Sequence, residues 1–315
     1  KLKTMRDFDR ALKASIGIDT RELSRRWQIW LKERYWKQLV GVSRPEEFAH
    51  RLTDHRSERC FVNNSPALSP NGEYIAFLSD RSDYFDIYLM RTIDRKVIKR
   101  LVKGERSGQF EELHWLRPGI TWSPDGKHIA FTAKAGKRDV LHIIDAQSGT
   151  VKRTLSWKCD ALFSPSWSPD GNTIALIMVS GGKSDIALVD LATGGFSLLT
   201  DDIYDDADPS WSPTGDRIIF TSNRGEAGLD PSEPQPKHLF GWNIKTFEVF
   251  SVDIKSRQIE RLTNDNCYAR TPLYNEDGSS FFYVSNRSGV FNIYLYNPHT
   301  GERFALTNIA TGVFQ

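Results

Sequence analysis

The side chains able to do chemistry in this chain are scattered. Its seven histidines, at positions 50, 55, 114, 128, 142, 238 and 299, form no His-Glu-x-x-His. A zinc peptidase needs two histidines one helical turn apart with a carboxylate base between them, so this chain cannot build that centre by itself. No Gly-x-Ser-x-Gly elbow occurs either, so the nucleophile of a hydrolase built on that turn is missing. Gly182-Lys183-Ser184 echoes the end of a phosphate-binding loop, but Ile177 stands where glycine is required and no helix is expected behind it. Cys60, Cys159 and Cys267 lack any Cys-x-x-Cys partner and are expected as isolated thiols. The acidic run Asp201, Asp202, Asp205, Asp206 and Asp208 is the best cation candidate, since hard oxygens at short spacing suit Ca²⁺. It lacks the glycine-turned loop and terminal glutamate of an EF-hand, and the competing reading is an exposed connection. The expectation is therefore no cofactor, with Ca²⁺ as the candidate if there is one.

What could position such residues is a repeat. Ala67-Leu68-Ser69-Pro70-Asn71-Gly72 recurs as Thr121-Trp122-Ser123-Pro124-Asp125-Gly126, Ser166-Trp167-Ser168-Pro169-Asp170-Gly171 and Ser210-Trp211-Ser212-Pro213-Thr214-Gly215. A worn copy is Leu273-Tyr274-Asn275-Glu276-Asp277-Gly278, and the first four prolines are 54, 45 and 44 residues apart. Ser-Pro-Asp-Gly is turn chemistry: proline presets φ, Asp bonds nearby backbone, and Gly takes a positive φ. An apolar run such as Tyr74-Ile75-Ala76-Phe77 or Ile218-Ile219-Phe220 follows each turn and suits a buried strand. Further along lie Ser79-Asp80-Arg81, Ser222-Asn223-Arg224 and Ser285-Asn286-Arg287, and each repeat closes on a pair such as Leu199-Thr200, Leu262-Thr263 or Leu306-Thr307. Four antiparallel strands per period of roughly 45 residues make a propeller blade. The fold class is mainly β, a propeller of five complete four-stranded blades and the start of a sixth. Trp122, Trp167 and Trp211 are expected at equivalent, largely buried positions.

The Trp-Ser-Pro-Asp-Gly-x-x-Ile-Ala-Phe repeat, with Ser-Asn-Arg and Leu-Thr in their places, resembles the TolB-like β-propeller family over residues 60 to 315. WD-type repeats fit less well, because neither Trp-Asp nor Gly-His occurs. Residues 308–315 follow the fifth Leu-Thr directly and resemble the lead-in to another blade. The expectation is a fragment of a longer protein, against the alternative of a native five-bladed ring. An open ring is expected to dimerise or capture a strand through blade five.

Residues 1–52 read as a helical segment ahead of a propeller at 53–315. Met5, Phe8 and Leu12 share one helical face, and Gly17 fits its stop. Asp19 with Glu22 resembles a capping box. Leu23, Trp27, Trp30, Leu31 and Tyr35 form an apolar stripe expected to pack on the propeller, where Trp27→Ala would cost about 3 kcal/mol. Pro45-Glu46-Glu47 reads as a third, short helix. The stretch from Leu23 to Trp36 is similar to the C-terminal helices of a gluzincin-type peptidase domain, which precedes such propellers in some exported bacterial proteins. The equal alternative is a brace for the propeller. Residues 1–59 hold 15 Lys/Arg against 9 Asp/Glu, and the remainder 27 against 31, from a net charge of +2. That asymmetry suits either a basic docking surface or solvated helix faces. No nucleic-acid module and no membrane segment is recognisable.

Residues just before the blade aromatics are expected to line one mouth of the axial channel: Asn63, Asn64, His114, Arg117, Ser164, Asp208 and Arg270. Polar and of mixed sign, they suit a peptide terminus or ordered water. An insertion at 225–242, with Pro231, Pro234 and Pro236 ahead of Leu239, Phe240 and Trp242, is either a docking loop or packing over a blade edge. The expected function is a non-catalytic scaffold binding a protein or peptide partner. The resemblance implies a bacterial envelope, periplasmic or otherwise exported. The alternative is a propeller that gates or regulates a larger zinc metallopeptidase, whose catalytic domain this chain does not contain.

Overall fold

The computed structural model describes residues 8–115, 117, 119–225, 246–310 and 312–313. Its contacts divide into two units, residues 1–48 with 308–310 and residues 49–307 with 311–315.

The larger unit holds five blades. Blade one is β1 (Asn63–Leu68), β2 (Tyr74–Ser79), β3 (Asp86–Arg91) and β4 (Lys96–Lys103). In blade two the first strand is split into β5 (Glu112–Leu113) and β6 (Ile120–Trp122), followed by β7 (His128–Ala135), β8 (Arg138–Asp145) and β9 (Val151–Leu155). Blade three is β10 (Ala161–Trp167), β11 (Thr173–Ser180), β12 (Lys183–Asp190) and β13 (Phe196–Leu198). Blade four is β14 (Asp206–Trp211), β15 (Arg217–Ser222), β16 (Glu248–Asp253) and β17 (Ile259–Arg261). Blade five is β18 (Ala269–Tyr274), β19 (Phe281–Ser285), β20 (Asn292–Tyr296) and β21 (Arg303–Ala305). Strands pair in chain order within each blade, and first strands of successive blades pack on one another. A short helix, α3 (His55–Glu58), precedes blade one.

Each sequence signal has a bonding job. In the Ser-Pro-Asp-Gly turns the glycine N–H donates to the serine carbonyl, as Gly126 does to Ser123 at 2.9 Å. The serine hydroxyl accepts from the strand beyond, as Ser123 does from His128 at 2.9 Å. In the worn copy the Asn275 side chain takes that place, accepting from Ser280 at 3.3 Å. The threonine of Leu-Thr turns its hydroxyl back to the third strand: Thr200, Thr263 and Thr307 accept from the amides of Ile186, Val249 and Ile293, each at 2.9 Å. Asp80, Asn223 and Asn286 hold the entry to their own blade's first strand, accepting from the amides of Val62, Asp205 and Tyr268.

The apolar core lies between blades. Leu78, Ile87 and Leu89 of blade one meet Trp122, Ile129 and Phe131 of blade two. Equivalent layers join blades two and three, three and four, and four and five. Trp122 and Trp211 donate their indole N–H to the preceding blade, at Ala67 and Ser166 carbonyls 2.9 and 3.0 Å away. Trp167 departs from this pattern: its indole bonds Gly171 in its own turn, while its backbone N–H reaches the Thr121 hydroxyl. Trp122 is buried, and Trp167 and Trp211 are half-buried. After blade five, Val313 N–H donates to the Phe291 carbonyl at 2.7 Å, the same link that Ala269 makes to Phe247 one blade earlier.

In the smaller unit, α1 (Phe8–Ile16) ends at Gly17, whose φ is +81°. Asp19 caps α2 (Thr20–Leu39) by accepting from Glu22 N–H at 2.9 Å. Pro45–Glu47 forms a single 3-10 turn, and Asn308 bonds Gly41 and Ser43. In the α2 stripe, Trp27 and Trp30 are 60% and 49% exposed. Arg25 and Arg26 flank this stripe and Arg34 lies over Trp30 at 5.3 Å, so the face is basic and solvated. Trp27→Ala should therefore shift the unfolding free energy by less than about 0.5 kcal/mol in a urea melt, as exposed positions do. A loss above about 2 kcal/mol would show a buried role for this ring.

Candidate functional site

The first strand of each blade is interrupted at one position. Register shifts fall between Asn64 and Ala67, Phe163 and Ser166, Ala207 and Ser210, and Arg270 and Leu273. At each bulge a residue of positive φ precedes proline: Ser65 (51°), Ser164 (48°), Asp208 (52°) and Thr271 (48°). Non-glycine residues enter this region at a cost, so its fourfold repetition marks a constraint of the blade. Proline cannot donate to the ladder, and the bulge removes that requirement. Blade two has Gly119 there instead. A Cβ at Gly119 would stand 2.6 Å from Pro165 Cδ and 2.7 Å from Ser164 Cα, so the next blade's backbone leaves no room for a side chain. These five positions, with their neighbours, line an axial cavity of about 270 Å³.

At one mouth of this channel a second cavity of about 290 Å³ opens among blades two to five, lined by Arg117, Ser164, Asp205, Asp208, Arg270 and Thr271. Phe163, Ile177, Phe247 and Tyr268 form its apolar wall. Arg270 lies over Phe291 at 4.3 Å and Tyr268 at 5.2 Å, and Arg117 over Phe163 at 5.6 Å. Asp208 accepts from Thr271 N–H at 3.0 Å. Burial raises the pKa of Asp208, opposed by that hydrogen bond and by Arg270 and Arg117. Burial also raises Asp205, with Arg117 opposing.

Of the residues expected at the mouth, Arg117, Ser164, Asp208 and Arg270 come together here. Asn63, Asn64 and His114 are not in this cavity's lining. Asn63 donates to Cys60 Sγ at 3.2 Å and Asn64 to the Trp115 carbonyl at 2.7 Å. His114 Nε2 sits 2.8 Å from Asp139 Oδ2 of its own blade, and its ring lies 5.1 Å from that of Phe163 in blade three. Pro234, Phe240 and Trp242 lie outside the described residues. The aromatic wall was missed in the sequence, although Phe163 and Tyr268 directly precede two of the predicted site residues or their equivalents.

The acidic run is divided among structural tasks. Asp202 and Asp206 hold Arg224 at 3.0 and 2.6 Å, and Asp201 lies 3.3 Å from Lys183. Among the described residues no three His, Cys, Asp or Glu side chains converge as a metal-binding set. All three cysteines are free. Among the described residues no helix is long and apolar enough to cross a membrane.

Residues 49–229 match the family model of the TolB beta propeller domain. No curated protein matches the chain. Among solved structures, TolB from Acinetobacter baumannii is similar at 20% identity and a TM-score of 0.54, over 77% of this chain and 52% of that one. The chain thus spans about half the length of that protein. The structure of a TolB from Agrobacterium tumefaciens, itself described as tentative in its assignment, gives 19% identity and a TM-score of 0.60, over 78% and 80%. An oligogalacturonate lyase in complex with manganese gives 16% identity and a TM-score of 0.54, over 81% and 68%. At such identities these likenesses show the fold.

Proposed function

The chain belongs to the TolB beta-propeller domain family, and from that premise we propose that it is a non-catalytic scaffold in the bacterial cell envelope, binding a protein or peptide partner at its channel mouth. The observation that carries this reading is the mixed-sign cavity, where Arg117 and Arg270 stand beside Asp205 and Asp208 against an aromatic wall. A rigid β scaffold presenting charged groups beside apolar surface is suited to recognition. The envelope location rests on the family resemblance.

A photo-crosslinking amino acid at position 205, on the exposed rim of the same cavity, compared with one at the outer-turn position 255, tests the reading in envelope extracts. One specific adduct from 205 that is absent from 255 and lost with Arg270→Glu is the expected result. Equal labelling from both positions, or none, rejects a mouth-directed partner. A second reading makes the propeller the gate of a larger zinc metallopeptidase, and the exposed Trp27 and Trp30 favour it as a face for a further domain.

A further inference from the structure

The arginines of the Ser-x-Arg turns are all committed within the fold. Arg81 pairs with Glu58 at 3.2 Å, Arg224 with Asp202 at 3.0 Å, and Arg287 with Asp265 at 3.5 Å. Arg303 also meets Asp265, at 2.9 Å. The two arginines on the mouth cavity differ. Among the described residues, neither Arg117 nor Arg270 has a carboxylate within ion-pair distance, and Arg270 Nε is buried without a hydrogen-bond acceptor. Aromatic stacking fixes both guanidinium planes while leaving their N–H edges for an acceptor from outside the fold.

We propose that this cavity binds the carboxylate of a peptide segment, with Arg117 and Arg270 as its anchors and an apolar side chain of the peptide against Phe163, Ile177, Phe247 and Tyr268. The proposal rests on the partner-binding reading and names the group that is recognised. Arginine is the side chain suited to planar, two-point recognition of a carboxylate. Asp205 and Asp208 limit the charge the cavity accepts: both carboxyl groups, whose ionised forms burial already disfavours, offset part of the guanidinium charge, so a carboxylate monoanion adds less repulsion beside them than a phosphate dianion does. The volume, about 290 Å³, is at the small end of ligand pockets and suits a terminal residue or one side chain rather than a folded surface. Either source, a chain terminus or an Asp/Glu side chain, supplies the same group.

Calorimetric titration of the full chain distinguishes the possibilities with three N-acetylated tripeptides: Ala-Gly-Phe as the free acid, Ala-Gly-Phe as its C-terminal amide, and Ala-Glu-Phe as the amide. Binding of the free acid with the Ala-Gly-Phe amide at least about tenfold weaker assigns the carboxylate. Equal binding of the Ala-Glu-Phe amide makes an acidic side chain sufficient, and its failure restricts the site to a chain terminus. Arg117→Gln, at an exposed position, and Arg270→Gln should each weaken the free acid by about tenfold or more. Arg270→Lys, which keeps the charge, is the second variant should Arg270→Gln lower the urea midpoint. The proposal is overturned if the Ala-Gly-Phe acid and amide bind equally, if none of the peptides binds, if inorganic phosphate binds more tightly than the acid, or if neither arginine matters. A mouth-specific crosslink that persists while acid and amide bind equally would leave the scaffold reading standing and remove this one. Selective carboxylate binding without any crosslinked partner would do the reverse.

Discussion

Arg224→Met should lower the unfolding free energy by about 3–5 kcal/mol, because it strands two buried carboxylates. Arg224 is 2% exposed. Its guanidinium meets Asp206 at 2.6 and 2.9 Å, Asp202 at 3.0 Å and the Ser222 hydroxyl at 3.0 Å. Phe220, Tyr204 and Phe250 surround it at 5.3, 5.5 and 5.9 Å. Burial alone would lower its pKa, yet the two carboxylates raise it, so it is held as a cation. The same turn in blade five provides the control. Arg287 keeps 31% side-chain exposure and reaches Asp265 at 3.5 Å, and Ala269 stands at the position of Asp206. Arg287→Met should cost no more than about 1 kcal/mol. Urea unfolding of both variants decides it: equal losses would mean that desolvation of the carboxylates is not what Arg224 offsets. Adding Asp202→Asn and Asp206→Asn to Arg224→Met should recover part of the loss, since no uncompensated charge then remains.

Those two arginines also mark how far the sequence could be read. Both occupy Ser-Asn-Arg, so the motif identifies the blade and the turn but not the burial. Burial depends on the residue 18 positions upstream, Asp206 in one blade and Ala269 in the other, since 22 positions upstream both blades carry an aspartate, Asp202 and Asp265. The turns, the Leu-Thr closures and the inter-blade core were legible because each is a local bonding pattern repeated in register. The Trp167 indole was not, since which carbonyl a ring meets depends on the neighbouring blade. Helical spacing likewise identifies the stripe of Trp27 and Trp30 but does not say what covers it. At the channel mouth, four of the residues found by counting back from the blade aromatics, Arg117, Ser164, Asp208 and Arg270, line one cavity. Asn63, Asn64 and His114 lie elsewhere, because the two amides bond Cys60 and the Trp115 carbonyl and the imidazole sits beside Asp139 of its own blade. The repeat's own departures were the better signal for charge: the mouth arginines belong to no repeated motif.

A departure of the same kind sets the second large effect. The third strand of every blade carries an acid or its amide within its first three residues: Asp86, Asp139, Asp185, Glu248 and Asn292. Asp86 meets Arg106 and Arg100 at 2.7 and 3.2 Å, Glu248 lies 3.9 Å from Arg261, Asp139 accepts from Leu162 N–H at 2.9 Å, and Asn292 is neutral. Asp185 has no ion pair among the described residues. It accepts from Asp202 N–H at 3.2 Å, but burial, with Asp206, Asp202 and Asp201 nearby, pushes its pKa up to about 7. An unfolded aspartate titrates near pH 4. Between those values the native chain holds a proton that the unfolded chain has released, so stability falls as pH rises, by about 1.4 kcal/mol per pH unit. The loss is complete above pH 7 and amounts to a few kcal/mol, on the order of 2–4. Asp185→Asn copies blade five, where the Asn292 side chain already accepts from the Thr307 hydroxyl at 2.9 Å. The variant should gain stability over the parent at pH 8 and lose that advantage toward pH 4. The parent-minus-variant difference, measured by urea denaturation across that interval, isolates this group from the other titrating residues. A variant equally destabilised at pH 5 and pH 8 would show that Asp185 is ionised in the fold and that its carboxylate is needed as an acceptor.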